Sequence, residues 1–320
     1  MKELKQYILE AKLNVDTVIK TYLDNFDKLS DTHKQHFQSR LSLCGEYETP
    51  SKDTFKPVAD KIRDILKHID NDELIYIRDE YALAPYMKNQ KKKPVKDFLS
   101  SIANHDALYY IACEELFTAY IILLRNDAVD LLSNKTIKSI NKIDIDRILA
   151  IHNLNTFGCR DHCGTIYINL IGALMTIYPE NQDIKDAWIS SRRYYNTYFD
   201  VNEIFLYAIT HIIINATNFY TKQIDVNEYK LELSHIEETL KYLRQKDYKS
   251  KELSLDVIAE IGLCDKILQG KEWKHVAEFL RTKINQETNI IQNVSKSVKD
   301  NLDRNEHCNI LYIMLNKLTL

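Results

Sequence analysis

Glycine and proline are scarce in this chain, at 6 and 5 of 320 residues, against average usage of roughly 7% and 5%. Tight turns draw on both residue types. A sheet protein of this length would need many such turns, so the shortage argues against sheets and for long helices. Cysteine is also sparse, with six at irregular separations. That is no disulfide framework and implies a reducing, cytoplasmic setting, in which the sequons at Asn134, Asn215 and Asn293 are chance matches. Neither sign of charge dominates. The net charge is −3 and the pI about 6.4, which excludes the basic footprint of a nucleic-acid binder. The strongest charge run, "KNQKKKPVKD" at 88–97, reads as a solvated loop, because a phosphate patch needs denser Arg and Lys. No stretch reaches the ~18 uninterrupted apolar residues of a membrane span. The first residues are charged throughout and carry no signal-peptide core. There is no Walker loop, GxGxxG, GxSxG or HExxH, which removes the common nucleotide, hydrolase and protease readings.

What is present is helical periodicity. Leu4, Ile8, Val15, Ile19 and Leu23 form one stripe, and Ile62, Ile65, Leu66 and Ile69 another; both are amphipathic surface helices. Pro85 and Pro94 bracket the basic loop and place a lobe boundary there. A long helix follows over about 104–125. From about residue 145 two kinds of helix alternate. The spans 163–178, 203–220, 253–268 and 307–318 are apolar nearly all round, whereas 183–199, 227–246 and 273–287 are charged and one-faced. All-round apolarity means burial on every side, and one apolar face means a surface helix. The alternation predicts inner helices wrapped by outer ones, as in a solenoid or closed ring of helical hairpins. Asp200-Val-Asn-Glu203 reads as a capping box, and Pro179 as a helix stop.

The inner helices carry polar residues out of keeping with their neighbours: Asp161, His162 and Cys163 at the entrance of the first, His211 and Asn215 in the second, Asp256 and Glu260 in the third, and His307 with Cys308 opening the last. A buried ionisable group is costly unless paired or functional, so these residues are expected to face a shared cavity. Cys159, His162, Cys163, His211, Asp256 and His307 are types that zinc accepts, but Cys-x2-His-Cys is no finger spacing, and no metal site or cofactor is assigned. Cys163 at a helix N-terminus, with His162 or His211 as base, is a candidate nucleophile; its ordinary alternative is a buried cysteine. For His211 the ordinary alternative is a core histidine bonded to a carbonyl or to Asp256. For Asp256 and Glu260 it is a dipole-favoured start and a partner cation. Tyr167 and Tyr207 could wall a cavity for a peptide or ring-bearing ligand, or simply pack. Cys44, Cys113 and Cys264 are expected in the packing.

The segments "RDHCGTIYINLIGALMTIY", "LYAITHIIINATNFY", "LSLDVIAEIGLC" and "EHCNILYIMLNKL" resemble the repeats of uncharacterised bacterial α/α-toroid families over about residues 145–320. The matching positions are Thr210-His211, Asp256 with Glu260, Cys264, and His307. The wider architecture, similar to lanthionine cyclases and protein prenyltransferases, holds zinc in a central cavity. Here His162-Cys163 stands in reversed order to the cyclase ligands, so the resemblance implies the cavity and leaves zinc unsupported. Fold analogy alone assigns no activity.

The expectation is an all-α protein: an N-terminal helical region at 1–95 and an α/α toroid, complete or partial, at 96–320. It would bind a peptide or small molecule in a central cavity, with modification of that ligand left open. The rival is a non-enzymatic helical scaffold holding a partner protein on its concave face. His211, Asp256, His307 and Cys163 are the candidate catalytic residues, with Asp161, His162, Asn215, Glu260, Tyr167 and Tyr207 around the ligand. No nucleic-acid or membrane partner is expected.

Overall fold

The computed structural model describes residues 14–82, 104–155, 164–248, 253–292 and 302–319. Among them every regular element is helical, and the one β-type pairing is an isolated bridge between Ile284 and Ile291. The basic run at 88–97 and the Asp161, His162, Cys163 group lie outside the described residues. The helices are α1 (Val15–Asp24), α2 (Asp31–Leu43), α3 (Lys56–Asp70), α4 (Leu74–Ile77), α5 (His105–Arg125), α6 (Asn134–Ile140) and α7 (Ile145–Leu154). There follow α8 (Gly164–Ile177), α9 (Gln182–Thr197), α10 (Glu203–Ala216), α11 (Lys230–Gln245), α12 (Leu255–Ile267), α13 (Trp273–Arg281) and α14 (Leu302–Lys317).

The chain divides into two compact units, each built from separate stretches of sequence. The first comprises Met1–Pro50, Phe199–Leu206 and Thr217–Leu320; the second comprises Ser51–Tyr198 and Tyr207–Ala216.

In the first unit α14 packs against α12, α13, α1 and α2, and α11 packs on α12. Helix α14 is buried without a break from Cys308 to Leu315, and α12 from Val257 to Asp265. By contrast α11 buries one face, with Ile236, Leu240 and Leu243 inward. The N-terminal helices are integral to this core. Tyr22 of α1 stacks on Phe37 of α2 at 4.8 Å, and its hydroxyl donates to the Leu302 carbonyl at 3.1 Å. Asn309 of α14 clamps the Ile284–Ile291 bridge: its side chain accepts from Ile291 N–H at 2.8 Å and donates to the Ile291 and Asn305 carbonyls.

In the second unit α5 packs against α3, α4, α7 and α8, and α9 against α7 and α8. Helix α5 is long and apolar enough to cross a membrane, but 78% of its apolar window is buried inside the protein. Gly172 of α8 marks a close approach, since a Cβ there would stand 2.4 Å from Asn215 Cγ.

Several helix ends differ from the sequence expectation. Helix α10 stops at Ala216 and not at 220, because Asn218, Phe219 and Tyr220 all take left-handed φ of 49°, 55° and 72°, which no helix accommodates. Asn202, not Asp200, caps α10 by accepting from Phe205 N–H at 3.1 Å. Glu203 turns instead to the Ser254 N–H at 2.7 Å. Helix α14 already runs from Leu302, so His307 lies inside the helix and does not open it.

Candidate functional site

Three helices of the first unit bring their polar residues together. On α12, Asp256 and Glu260 are one turn apart, as are His36 and Arg40 on α2, and α14 supplies Glu306 and His307. Residues four apart share a helix face, so α12 and α2 each present a pair, whereas the adjacent Glu306 and His307 of α14 turn to different neighbours. His307 Nδ1 meets Asp256 Oδ2 at 2.8 Å, and His36 Nδ1 meets Glu306 Oε1 at 2.9 Å. The imidazole rings stand 5.5 Å apart, tilted by 42°. An ionised carboxylate only accepts, so each Nδ1 carries the proton and each Nε2 is the open edge. Neither Nε2 makes a hydrogen bond among the described residues. Their side chains remain 36% and 29% exposed for His307 and His36, so solvent reaches the pair.

The environment drives the two histidines apart in acidity. Burial disfavours the His307 cation, but the Asp256 carboxylate and Glu260 outweigh it and the pKa is raised. For His36, burial and the Arg40 charge act together against the cation, and Glu306 does not compensate; its pKa falls to about 4. Burial alone would raise the Glu306 pKa, but His36, Arg40 and His307 hold the carboxyl below its usual range. Its second oxygen, Oε2, is buried without a hydrogen bond among the described residues. Arg40 also faces the Tyr220 ring at 6.0 Å. The buried thiols of Cys264 and Cys308 are pushed well above the ordinary value, first by burial; at neutral pH they are protonated and poor nucleophiles.

A second polar cluster lies within the second unit. His211 Nδ1 donates to Asn169 Oδ1 at 2.7 Å, and Asn215 Nδ2 donates to the same oxygen at 3.0 Å. Thr118 Oγ1 donates to the carboxyl of Glu114 at 3.1 Å. Asn169 also bonds to that carboxyl, which burial, reinforced by Glu115, raises to about 8. Tyr207 stands edge-on to His211 at 6.4 Å. Tyr167 is buried and stacked 3.8 Å from His152. His152 is bonded at both nitrogens, to Tyr110 and Ser191, and serves the core.

Asp256 and His307 are therefore directly joined, and Glu260 acts on His307 electrostatically. His211 and Asn215 meet each other through Asn169. Asp161, His162 and Cys163 lie outside the described residues. The sequence reading missed His36, Arg40, Glu306, Asn169 and Glu114. The available signals were the adjacent Glu114-Glu115 pair and Asn169, each inside a largely apolar helix. Among the described residues no group of three or more His, Cys, Asp and Glu is placed to hold a metal ion.

No curated protein and no solved structure matches the chain. One family model matches residues 157–319, described as Domain of unknown function (DUF3541). The match takes in α8 to α14, and with them Asn169, His211, Asp256, Glu260, Glu306 and His307, but not His36, Arg40 or Glu114. It covers more than half of the 320 residues, and the chain belongs to the DUF3541 family.

Proposed function

We propose that this chain binds a peptide or small molecule at the His36–His307 pair and moves protons on it as an acid–base enzyme, in a reducing cytoplasmic setting. The observation that supports this is the pairing itself: two imidazoles, each oriented through Nδ1 by a carboxylate, with open Nε2 edges. Their acidities are displaced in opposite directions. Such displacement is how one site keeps an acid and a base at the same pH. His307, whose cation Asp256 favours, is the proton donor, and His36, neutral, is the acceptor. Asp256 and Glu306 hold the rings in the Nδ1–H form, and burial together with Arg40 keeps His36 neutral. The alternation of all-round and one-faced helices supports an α/α toroid as the setting, with its cavity as the place where ligand and imidazoles would meet.

The test is a thermal-shift screen of a dipeptide and metabolite panel, with each ligand incubated with protein and its mass followed. A ligand converted by the wild type, at least ~100-fold more slowly by His307→Gln and His36→Gln, is the expected result. Ligands that bind all three proteins alike and are never converted would leave the scaffold reading in its place.

A further inference from the structure

Some lysines of the first unit are paired with acids. Lys317 lies 2.8 Å from Asp16 and 2.9 Å from Glu46, and Lys241 lies 3.0 Å from Glu237. Lys266, near the end of α12, is half-buried and lacks such an acid. Its Nζ donates to the Leu315 carbonyl at 2.8 Å and lies 5.1 Å from the Trp273 ring centroid. No carboxylate lies within ion-pair distance of it among the described residues. An ammonium has three donors, and capping a helix-end carbonyl uses one. Burial lowers the Lys266 pKa, and only the Cys44 thiol opposes that shift; no acid compensates the lost hydration.

This half-buried ammonium forms part of the wall of a cavity of about 370 Å³, a size at the small end of ligand sites. Gln223, Gln269 and Asn316 add side-chain amides, Ile224 and Leu318 add apolar surface, and none of the lining residues is acidic. We infer that this cavity is a binding site for a small aliphatic carboxylate, with Lys266 as its counter-charge, the Gln223 and Gln269 amides as further donors, and Ile224 and Leu318 against its hydrocarbon part. A single ammonium neutralises one charge, which matches a carboxylate. A phosphate dianion would be left with a surplus buried charge, and burying an uncompensated charge is costly. The inference is independent of the acid–base reading and stands or falls separately.

The test uses the full chain and two probes, N-acetyl-L-leucine and its uncharged amide, titrated by calorimetry at pH 7. The carboxylate is expected to bind saturably and at least ~10-fold more tightly than the amide, a difference of about 1.4 kcal/mol. Lys266→Met should abolish that preference. Gln223→Glu, at an exposed position, adds an acid to the wall of the same cavity without disturbing the core and should weaken the carboxylate by a similar factor. Equal binding of both probes overturns the proposal. So does absence of saturation up to ~10 mM, or unchanged affinity in the Gln223→Glu protein with its circular dichroism intact. Binding of inorganic phosphate in preference to the carboxylate overturns it as well.

Discussion

At the scale of the residue, His307 and Glu114 make opposite uses of burial. Burial disfavours the His307 cation, but the Asp256 carboxylate, 2.8 Å from Nδ1, favours it and the pKa is raised. Removing that charge as Asp256→Asn keeps a hydrogen-bond acceptor and deletes the attraction. The His307 pKa should then drop by ~1–3 units, which ring-proton NMR titration reads directly; an unchanged value would mean that Asp256 is not its counter-ion. The same pairing fixes a sign for stability. A histidine whose folded pKa is raised contributes stability that is complete below the unfolded value of 6.5 and lost as pH rises through the folded one. His36 works the other way: its folded pKa of about 4 makes the native state lose stability as pH falls from 6.5 toward 4. Glu114 resists ionisation, its pKa being raised by burial from 4.5 to about 8. The native state therefore binds its proton more tightly than the unfolded state does, and stability declines as pH rises across that window. Glu114→Gln supplies a permanently neutral isostere. It should stabilise the protein by ~1–3 kcal/mol at pH 8 and by almost nothing at pH 4, as measured by urea unfolding at the two pH values.

At the scale of the element, the spacing of apolar residues carried most of the information that a chain of helices can carry. Helices apolar on all sides, such as α12 and α14, are buried along unbroken runs, while α9 and α11 bury a single stripe. Both follow from a period of 3.6 residues. Helix ends were less legible, because three consecutive left-handed residues at 218–220 are bulky or polar side chains, not the glycines that announce such a conformation. The site was half legible for a related reason. Asp256 and His307 stand out in apolar helices, but α2 is a polar helix whose His36 and Arg40 look like any solvated face. Nothing local to α2 says that it covers Glu306. Gly172 tests the close passage of α8 and α10 in the second unit. Its missing side chain leaves room for Asn215, which a methyl would meet at 2.4 Å. Asn215 also bonds Asn169 Oδ1 and the His211 carbonyl, so it cannot yield without breaking that network. Gly172→Ala should cost ~1–3 kcal/mol by overpacking and should shift the His211 ring resonances. A fully stable variant with unmoved resonances would show that the helices part freely.

At the scale of the whole molecule, the family match and the folding units do not coincide. The matched stretch, 157–319, contains α8 to α14, but each unit needs helices from before it. In the first unit α14 rests on α1 and α2, where Tyr22, Phe37 and Leu41 are fully buried and His36 supplies the partner of the buried Glu306. In the second unit α8 packs on α5, whose Tyr110, Ile111, Leu116 and Phe117 are fully buried. Removing residues 1–156 would expose these contacts together and leave the Glu306 carboxylate buried beside no His36. Fully burying a large apolar side chain is worth ~1.5–3 kcal/mol, and a domain's whole stability is only ~5–15 kcal/mol. The burial lost with these side chains, roughly 10–20 kcal/mol in all, is as large as that margin or larger. A fragment of residues 157–320 should consequently retain helical far-ultraviolet dichroism but show neither near-ultraviolet dichroism nor a cooperative melt, while the full chain shows both. A fragment that melts cooperatively would mean that the matched stretch is a domain in its own right, and that α1, α2 and α5 are additions to a core already complete.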